Sequence, residues 1–589
     1  MSDTLGAERA RTDFVGTLVG ESTSREFRLA VAREAVREQD LIAVDVELQP
    51  AEGDGQPEAM RLWAKVQRIE RLNPLFPVES GHELAETRTN PFDTVLSLSR
   101  EMVTAVCQVL GSEPMEGAGG RLDHVRYPPQ PASQAYRPET ADLQRVVLGD
   151  LRQNSALDIA TLSNRKGVDV AVDGHKIVSR HLAILAMTGA GKSVTARRVV
   201  EELAKKRYPI VIFDPHGDYT GLADVPSIGK QVHLHYAEFP ILDQQPDEVL
   251  QVAEALSRDM SDTMRTLFPS LFHATKTVVE SEQRRKQAAE WLSVYLGNEK
   301  ILRYGVKGNL FLLADLAEAA SKAAIDEDMS TQDALVKLTD QKKLKLSKQQ
   351  GGWIQGSIGR LRRAAYALYN MEEINRRRSG RAEALPTDRT ELVDDGQISV
   401  ISLAGYSSDF QATIYSLIAR DIFQARVQDR LALPVLFVLE EAHNFAPGKA
   451  NTAAEKVSIA VTKQIAQEGR KFGVGLILIS QRPSRLDETT LAMCNSFIIM
   501  RMVNPADQRF VRNVVESLGE DDAAMLPDLD VGEAILSGQL INFPVLTRIK
   551  LPEAQGEREE ENAFKALAKA REQHRQNRQR QQRRHRGGG

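Results

Sequence analysis

The chain has 589 residues, 42% of them hydrophobic and 27% charged, and a formal net charge of −5. That length implies roughly three to four folding units, the balanced composition excludes a disordered chain, and no apolar run approaches the roughly 18 residues of a membrane span. Cys107 and Cys494 are the only cysteines, which excludes a disulfide framework or a cysteine zinc site; with no apolar signal region at the N-terminus, a cytoplasmic protein without a membrane partner is expected.

Residues 1–11 read as a flexible N-terminus. From residue 12 to about 75, "DFVGTLVG", "EFRLAVA", "LIAVDVELQ" and "RLWAKVQRI" read as short strands separated by turns, the pattern of a small barrel. "TVLSLSREMVTAVCQVLG" is expected to be a helix. A Pro-rich connector follows, and "LQRVVLGDL" and "VDVAVDG" are expected to complete the barrel, which would span residues 12–165.

Beyond residue 165 the texture changes. "HLAILAM", "YPIVIFD", "QISVISLAG", "LPVLFVLEEAH", "VGLILISQ" and "SFIIMRM" are unbroken apolar runs. Such runs suit strands buried on both faces of a mainly parallel sheet flanked by helices. This predicts an α/β core over 166–240 and 376–552, interrupted by a helical insertion over 241–375. Residues 553–589 read as a helix and a basic, Gln-rich tail that is disordered alone.

Within the core, "HLAILAMTGAGKSVTARRVV" is a strand, a glycine loop and an amphipathic helix. This is the setting of a phosphate-binding loop, although Ala186 stands where the motif's first glycine would be. Met187, Thr188, Gly189, Ala190, Gly191, Lys192, Ser193 and Val194 are the nucleotide-binding candidates. The glycines let backbone N–H groups wrap phosphates, Lys192 would reach the β- and γ-phosphates, and the Ser193 hydroxyl would ligate magnesium. At the first position a small alanine can end the strand if its φ stays negative.

"LPVLFVLEEAHNF" ends a strand in Glu440 and Glu441. In a parallel sheet that end lies beside the phosphate loop, so Glu440 can serve the metal and Glu441 the attacking water; a solvated acidic strand end is the alternative. Asp214 could be a second acidic group near metal or water, or a turn cap before Pro215. Gln481 could sense the γ-phosphate or simply end a strand. Arg470 and Arg180 could reach a neighbouring subunit's γ-phosphate; the alternative for Arg470 is a cation closing a helix.

Taken together, "TGAGKS", "FDPHGDY", "VLEEAHNF", "EGRKFGVGLILISQRPS" and "PVLTRIKLP" behind a small barrel resemble the HerA ATPases of the HerA/FtsK superfamily, over roughly residues 12–552. The resemblance implies a RecA-like P-loop ATPase core behind a HAS-barrel-like domain, ATP and Mg2+ as cofactors, and a homo-hexameric ring that moves double-stranded DNA through its channel. It also implies a partner such as a NurA-like nuclease, or another effector, docked on the barrel. Residue by residue it implies Lys192 and Ser193 on nucleotide and metal, Glu441 as catalytic carboxylate, Gln481 as sensor, Arg470 and Arg180 across the subunit boundary, and Asp214 at an acidic position. Ala186 and Glu440, where aspartate is more usual, depart from the pattern.

A duplex held through its phosphates needs cations in the channel. Lys449 and Lys463 are the candidates, each equally readable as an ordinary surface lysine. Two other roles stay open: the motor or scaffold of an anti-phage complex with a different effector, and a nucleotide-dependent assembly scaffold that moves no DNA.

Overall fold

The computed structural model describes residues 13–48, 58–73, 102–115, 120–149, 155–237, 241–297, 309–378 and 382–553, less 33 and 166, with isolated residues elsewhere. The expected N-terminal segment and most of the expected C-terminal helix and tail lie outside the described residues.

A closed barrel comes first, of β1 (Phe14–Ser22), β2 (Glu26–Val31), β3 (Leu41–Leu48), β4 (Glu58–Leu72), β5 (Met102–Pro114) and β6 (Gln134–Tyr136), in the order β1-β2-β5-β4-β3-β6. Its core contains Val15, Leu18, Phe27, Leu29, Ile42, Val44, Leu62 and Cys107. Two expectations fail here. Of the stretch read as a helix, residues 94–111, residues 94–101 lie outside the described residues and the part from 102 on lies in β5, a long strand paired along β4 and β2. Its valines, with Ala105 and Cys107, fit the pleated barrel wall, and pairing on both sides overrides a spacing that also suits a helix. "LQRVVL" is not a barrel strand but lies in a helix, α1 (Thr140–Leu148), which buries Leu143, Val146 and Val147 at helical spacing. "VDVAVD" leaves the barrel too, forming a hairpin of β7 (Ala156–Leu162) and β8 (Asp169–Asp173) at the edge of the second sheet.

That sheet has twelve strands. Besides β7 and β8 they are β9 (Leu182–Leu185), β10 (Ile210–Asp214), β11 (Val232–Tyr236), β12 (Glu383–Ala384), β13 (Ile398–Ser402), β14 (Val435–Leu439), β15 (Val474–Ser480), β16 (Ser496–Met500), β17 (Glu533–Gly538) and β18 (Val545–Ile549). The order is β12-β11-β13-β10-β14-β15-β9-β16-β17-β18-β7-β8. All pairs from β12 to β16 are parallel, and those from β16 to β8 are antiparallel.

β9, β10, β14, β15 and β16 are buried at every residue, which explains their unbroken apolar runs. Alternate residues feed two cores. Val211, Phe213, Phe437 and Leu478 join one; Ile210, Ile212, Val438 and Ile479 join the other.

Two helices flank β9: α2 (Gly174–Arg180) before it and α3 (Lys192–Lys205) after it. The insertion is helical as expected: α4 (Pro246–Leu256), α5 (Asp262–Glu280), α6 (Glu282–Leu296), α7 (Asn309–Ile325), α8 (Met329–Thr339) and α9 (Lys348–Arg378). Phe268, Leu271 and Leu361 from it enter the same core as Phe213 and Phe437. Then come α10 (Ser408–Val427) and α11 (Ala453–Phe472).

The barrel is tied to the core by a buried ion pair, Lys65 Nζ to Asp522 Oδ1 at 2.7 Å. No described helix is long and apolar enough to cross a membrane.

Candidate active site

The carboxyl ends of β9, β10, β14 and β15 converge at one edge of the sheet, where ligands bind in open α/β folds. Ala186 is fully buried, and its N–H donates to the Ser480 carbonyl at 3.2 Å. The ladder thus runs one residue past β9 with no positive φ at Ala186, so the position does not require glycine. Gly189 and Gly191 do need theirs, at φ of 81° and 104°. The loop is anchored by Met187 N–H to the Arg501 carbonyl at 2.9 Å and Gly532 N–H to the Ala190 carbonyl at 3.0 Å.

α3 starts behind Gly191 with no capping side chain. The N–H groups of Lys192 and Ser193 therefore have no intrahelical acceptor and lie at the positive end of the helix dipole, the arrangement that receives anionic phosphate oxygens.

The Lys192 ammonium is 5% exposed. It donates to Glu440 Oε1 through a very short contact and to Glu441 Oε1 at 2.8 Å. Burial alone would lower its pKa, but the two carboxylates outweigh burial and raise it, so it is a cation at neutral pH. Burial raises the pKa of Glu440, which is 0% exposed, with Lys192 offsetting part of that. The second Glu440 oxygen accepts the Tyr219 hydroxyl at 2.7 Å. Gln481 Nε2 donates to Glu441 Oε1 at 2.5 Å, and Thr188 Oγ1 donates to Gln481 Oε1. One network thus runs Thr188, Gln481, Glu441, Lys192, Glu440, Tyr219, uniting the predicted Lys192, Glu440, Glu441 and Gln481.

Glu441 holds a left-handed backbone, φ 51° and ψ 53°, which costs about 1–3 kcal/mol in a residue with a side chain. Its Oε2 is buried without a hydrogen-bond partner, 3.3 Å from His443 Nδ1, which also lacks one. Burial lowers the pKa of His443 despite the attraction of Glu441. A carboxylate with one anchored oxygen and one spare acceptor can take a proton from a water.

Asp214 makes the contacts of the turn-cap alternative: Oδ1 accepts the N–H groups of His216, Gly217 and Asp218 at 3.2, 2.8 and 3.1 Å, and Oδ2 accepts that of Tyr219 at 3.0 Å. It caps the turn that delivers Tyr219 to Glu440. Tyr219 was not singled out in the sequence; the signal for it was the Asp-Pro-x-Gly turn that brings the chain back to the strand end.

Of the predicted metal residues, Glu440 has one oxygen bonded by Lys192 and the other by Tyr219. Ser193 Oγ has no partner among the described residues. Those residues contain no cluster of three or more His, Cys, Asp or Glu able to cage a metal. A magnesium ion needs none, since it keeps waters and phosphate oxygens and takes one or two protein ligands; Ser193 fits that role.

Arg180 and Arg470 stand elsewhere. Arg180 precedes β9 and Arg470 precedes β15, so both occupy the amino edge, about 20 Å from the phosphate loop at roughly 3.3 Å per strand residue. No arginine side chain spans that distance. Arg470 is exposed, Arg180 half-buried, and neither has an ion-pair partner among the described residues.

Of the DNA candidates, Lys449 is exposed. Lys463 is ion-paired: its Nζ lies 3.0 Å from Asp487 Oδ2.

Residues 157–422 match the family described as "Helicase HerA, central domain". The DNA double-strand break repair helicase HerA of Pyrococcus furiosus is 32% identical over 478 residues, 76% of this chain and 78% of that protein. The probable DNA double-strand break repair helicase HerA of Methanocaldococcus jannaschii is 28% identical over 487 residues, 77% of this chain and 88% of that one. Among solved structures, VirB4 of Thermoanaerobacter pseudethanolicus aligns with 68% of this chain and 97% of its own, at 15% identity and a TM-score of 0.39. The plasmid coupling protein TrwB in complex with ADP and Mg2+ aligns with 67% of this chain and 90% of its own, at 14% identity and a TM-score of 0.38. By its sequence match to the Pyrococcus protein the chain belongs to the HerA helicase family, with an α/β P-loop ATPase core behind an N-terminal barrel.

Proposed function

We propose that the protein is a ring-forming, ATP-driven motor that moves double-stranded DNA and works beside a nuclease in DNA end resection and recombinational repair. One observation supports this reading: the residues proposed to act on ATP lie at opposite edges of one sheet. Lys192, Glu441 and Gln481 stand at the carboxyl edge, and Arg180 and Arg470 at the amino edge.

At the carboxyl edge, ATP would be held by the loop N–H groups and the Lys192 ammonium. Magnesium, when bound, would neutralise phosphate charge with Ser193 as its protein ligand. Glu441 would orient and deprotonate the attacking water through its spare oxygen, and Gln481, bonded to Glu441 and to Thr188 of the loop, would couple that carboxylate to the phosphate end. A further cation on the transition-state charge would complete the set. With both arginines out of reach of their own site, the donor would be a neighbouring copy, and a head-to-tail contact of this kind repeats until it closes a ring. A homo-hexamer is the proposed ring.

The printed names of the relatives, double-strand break repair helicases, support duplex DNA as the substrate and repair as the setting. Lys449 is the exposed candidate for a phosphate contact, which would make binding sequence-independent and salt-sensitive. The barrel is the proposed dock for a NurA-like nuclease.

The test measures ATPase with and without duplex DNA for the native protein and Glu441→Gln, alongside native mass. Duplex should stimulate the native rate, and the variant should lose about 10²–10⁴ in kcat while retaining ATP and its assembled mass. A native protein that hydrolyses ATP at a rate indifferent to duplex would favour the assembly scaffold instead.

A further inference from the structure

Arg180 and Arg470 lie on different elements, and one buried side chain joins them. His181 follows Arg180, is 2% exposed, and holds a φ of 61°, rare for a residue with a side chain. Its Nδ1 accepts the Leu476 N–H at 3.0 Å. With Nδ1 accepting, the neutral ring carries its proton on Nε2. Nε2 then donates to the Ala466 carbonyl at 3.1 Å.

Ala466 is one turn before Arg470 in α11, and its carbonyl is the acceptor for the helical N–H of Arg470. One oxygen therefore receives a hydrogen bond from each of the two arginine-bearing segments. The fit around it is closed. A Cβ on Gly475 would come within 2.4 Å of the Val178 carbonyl oxygen, and the Arg180 carbonyl accepts the Asn495 N–H at 3.0 Å. The positive φ, costing about 1–3 kcal/mol, persists because these contacts over-determine it.

We infer that His181 is a positioning residue that fixes the spacing of Arg180 and Arg470, so that both guanidiniums are presented together to a neighbouring subunit's active site. This rests on the proposed action of the two arginines across a subunit boundary.

The test uses the full chain, assembled and with duplex DNA, and compares kcat and KM for His181→Asn, His181→Gln, Arg180→Ala, Arg470→Ala, the double arginine variant and the triple variant. Asparagine keeps an acceptor where Nδ1 stood and loses the donor to Ala466, while holding the same strained backbone, φ 61° and ψ 146°, that histidine holds. His181→Asn should lower kcat on the order of tenfold to a hundredfold with KM and assembled mass unchanged. In the background lacking both arginines it should cost less than about twofold, because the groups it positions are gone. His181→Gln, which restores a donor at the Nε2 position, should recover part of the rate.

If His181→Asn leaves kcat intact while the arginine variants lose it, or if its loss multiplies with theirs, the positioning role is wrong and the reading of the arginines stands. If both His181 variants fail to assemble, the side chain belongs to folding and the positioning role is again overturned. If the arginine variants keep native kcat, the trans reading fails and this inference with it.

Discussion

Lys192→Met would leave two adjacent carboxylates, Glu440 and Glu441, 0% and 4% exposed, without their cation. At 2.8 Å and an effective dielectric near 20, the Lys192–Glu441 attraction alone is roughly 6 kcal/mol gross. Desolvation offsets part of this, and removing one partner of a buried pair costs about 3–5 kcal/mol net. The variant should therefore unfold at markedly lower denaturant in the absence of any nucleotide, a loss that missing phosphate contacts cannot explain. The pH dependence follows from Glu440, whose pKa burial raises even beside Lys192 and which would rise further without it. A carboxyl with a raised folded pKa keeps its proton more readily folded than unfolded. The penalty is thus smallest below the ordinary carboxylate pKa of about 4.3 and grows as pH rises toward the folded value. Lys192 itself contributes stability that is fully present below the ordinary lysine value and is lost as pH rises from there through its raised folded pKa, outside a pH 5–9 experiment. Urea unfolding of Lys192→Met, Glu440→Gln and the double variant across that range is the assay. Glu440→Gln should restore stability in the Lys192→Met background. Native-like stability of Lys192→Met throughout, or a second variant that adds to the loss, would refute the argument.

Two further outcomes are expected. Tyr219→Phe leaves a buried Glu440 oxygen without its 2.7 Å donor and should cost about 1–3 kcal/mol in unfolding free energy, with Asp214→Asn smaller because the amide oxygen can still accept from part of the turn; an unchanged midpoint for Tyr219→Phe would remove the hydroxyl from the network. Burial takes the folded pKa of His181 to about 4 from an ordinary 6.5, so the unfolded chain binds the extra proton first. Stability from this group is complete above pH 6.5 and is lost as pH falls from there toward 4, by about 3 kcal/mol at 1.36 kcal/mol per pKa unit. His181→Asn should flatten that part of the stability profile, and an equal slope in both proteins would place the titration elsewhere.

The parts that could be read in the sequence are those whose cause is local. Unbroken apolar runs at β9, β10, β14 and β15 reflect burial on both faces, and the loop from Thr188 to Ser193 announces itself by its glycines and its flanks. What stayed hidden depends on distant partners. The "MVTAVCQVL" stretch is a strand because β4 and β2 pair along it, a fact absent from its own spacing. The choice between the two readings of Asp214 needs the four N–H groups of its own turn, and the contacts of Glu440 need Lys192 and Tyr219 brought in from other elements. The ion pair of Lys463 likewise needs Asp487 in view. His181, a lone histidine before a strand, shows its role only when Ala466 and Leu476 arrive from α11 and β15.

The shared active site is tested most directly by mixing two inactive proteins, Glu441→Gln and Arg470→Ala, and measuring ATPase in the re-formed assembly. In a random one-to-one mixture about a quarter of the interfaces pair an intact Glu441 with a neighbour's intact Arg470. Activity should reappear at about that fraction of the native rate. Activity no greater than the average of the two separate proteins, with mixed assemblies verified by mass, would contradict a shared site.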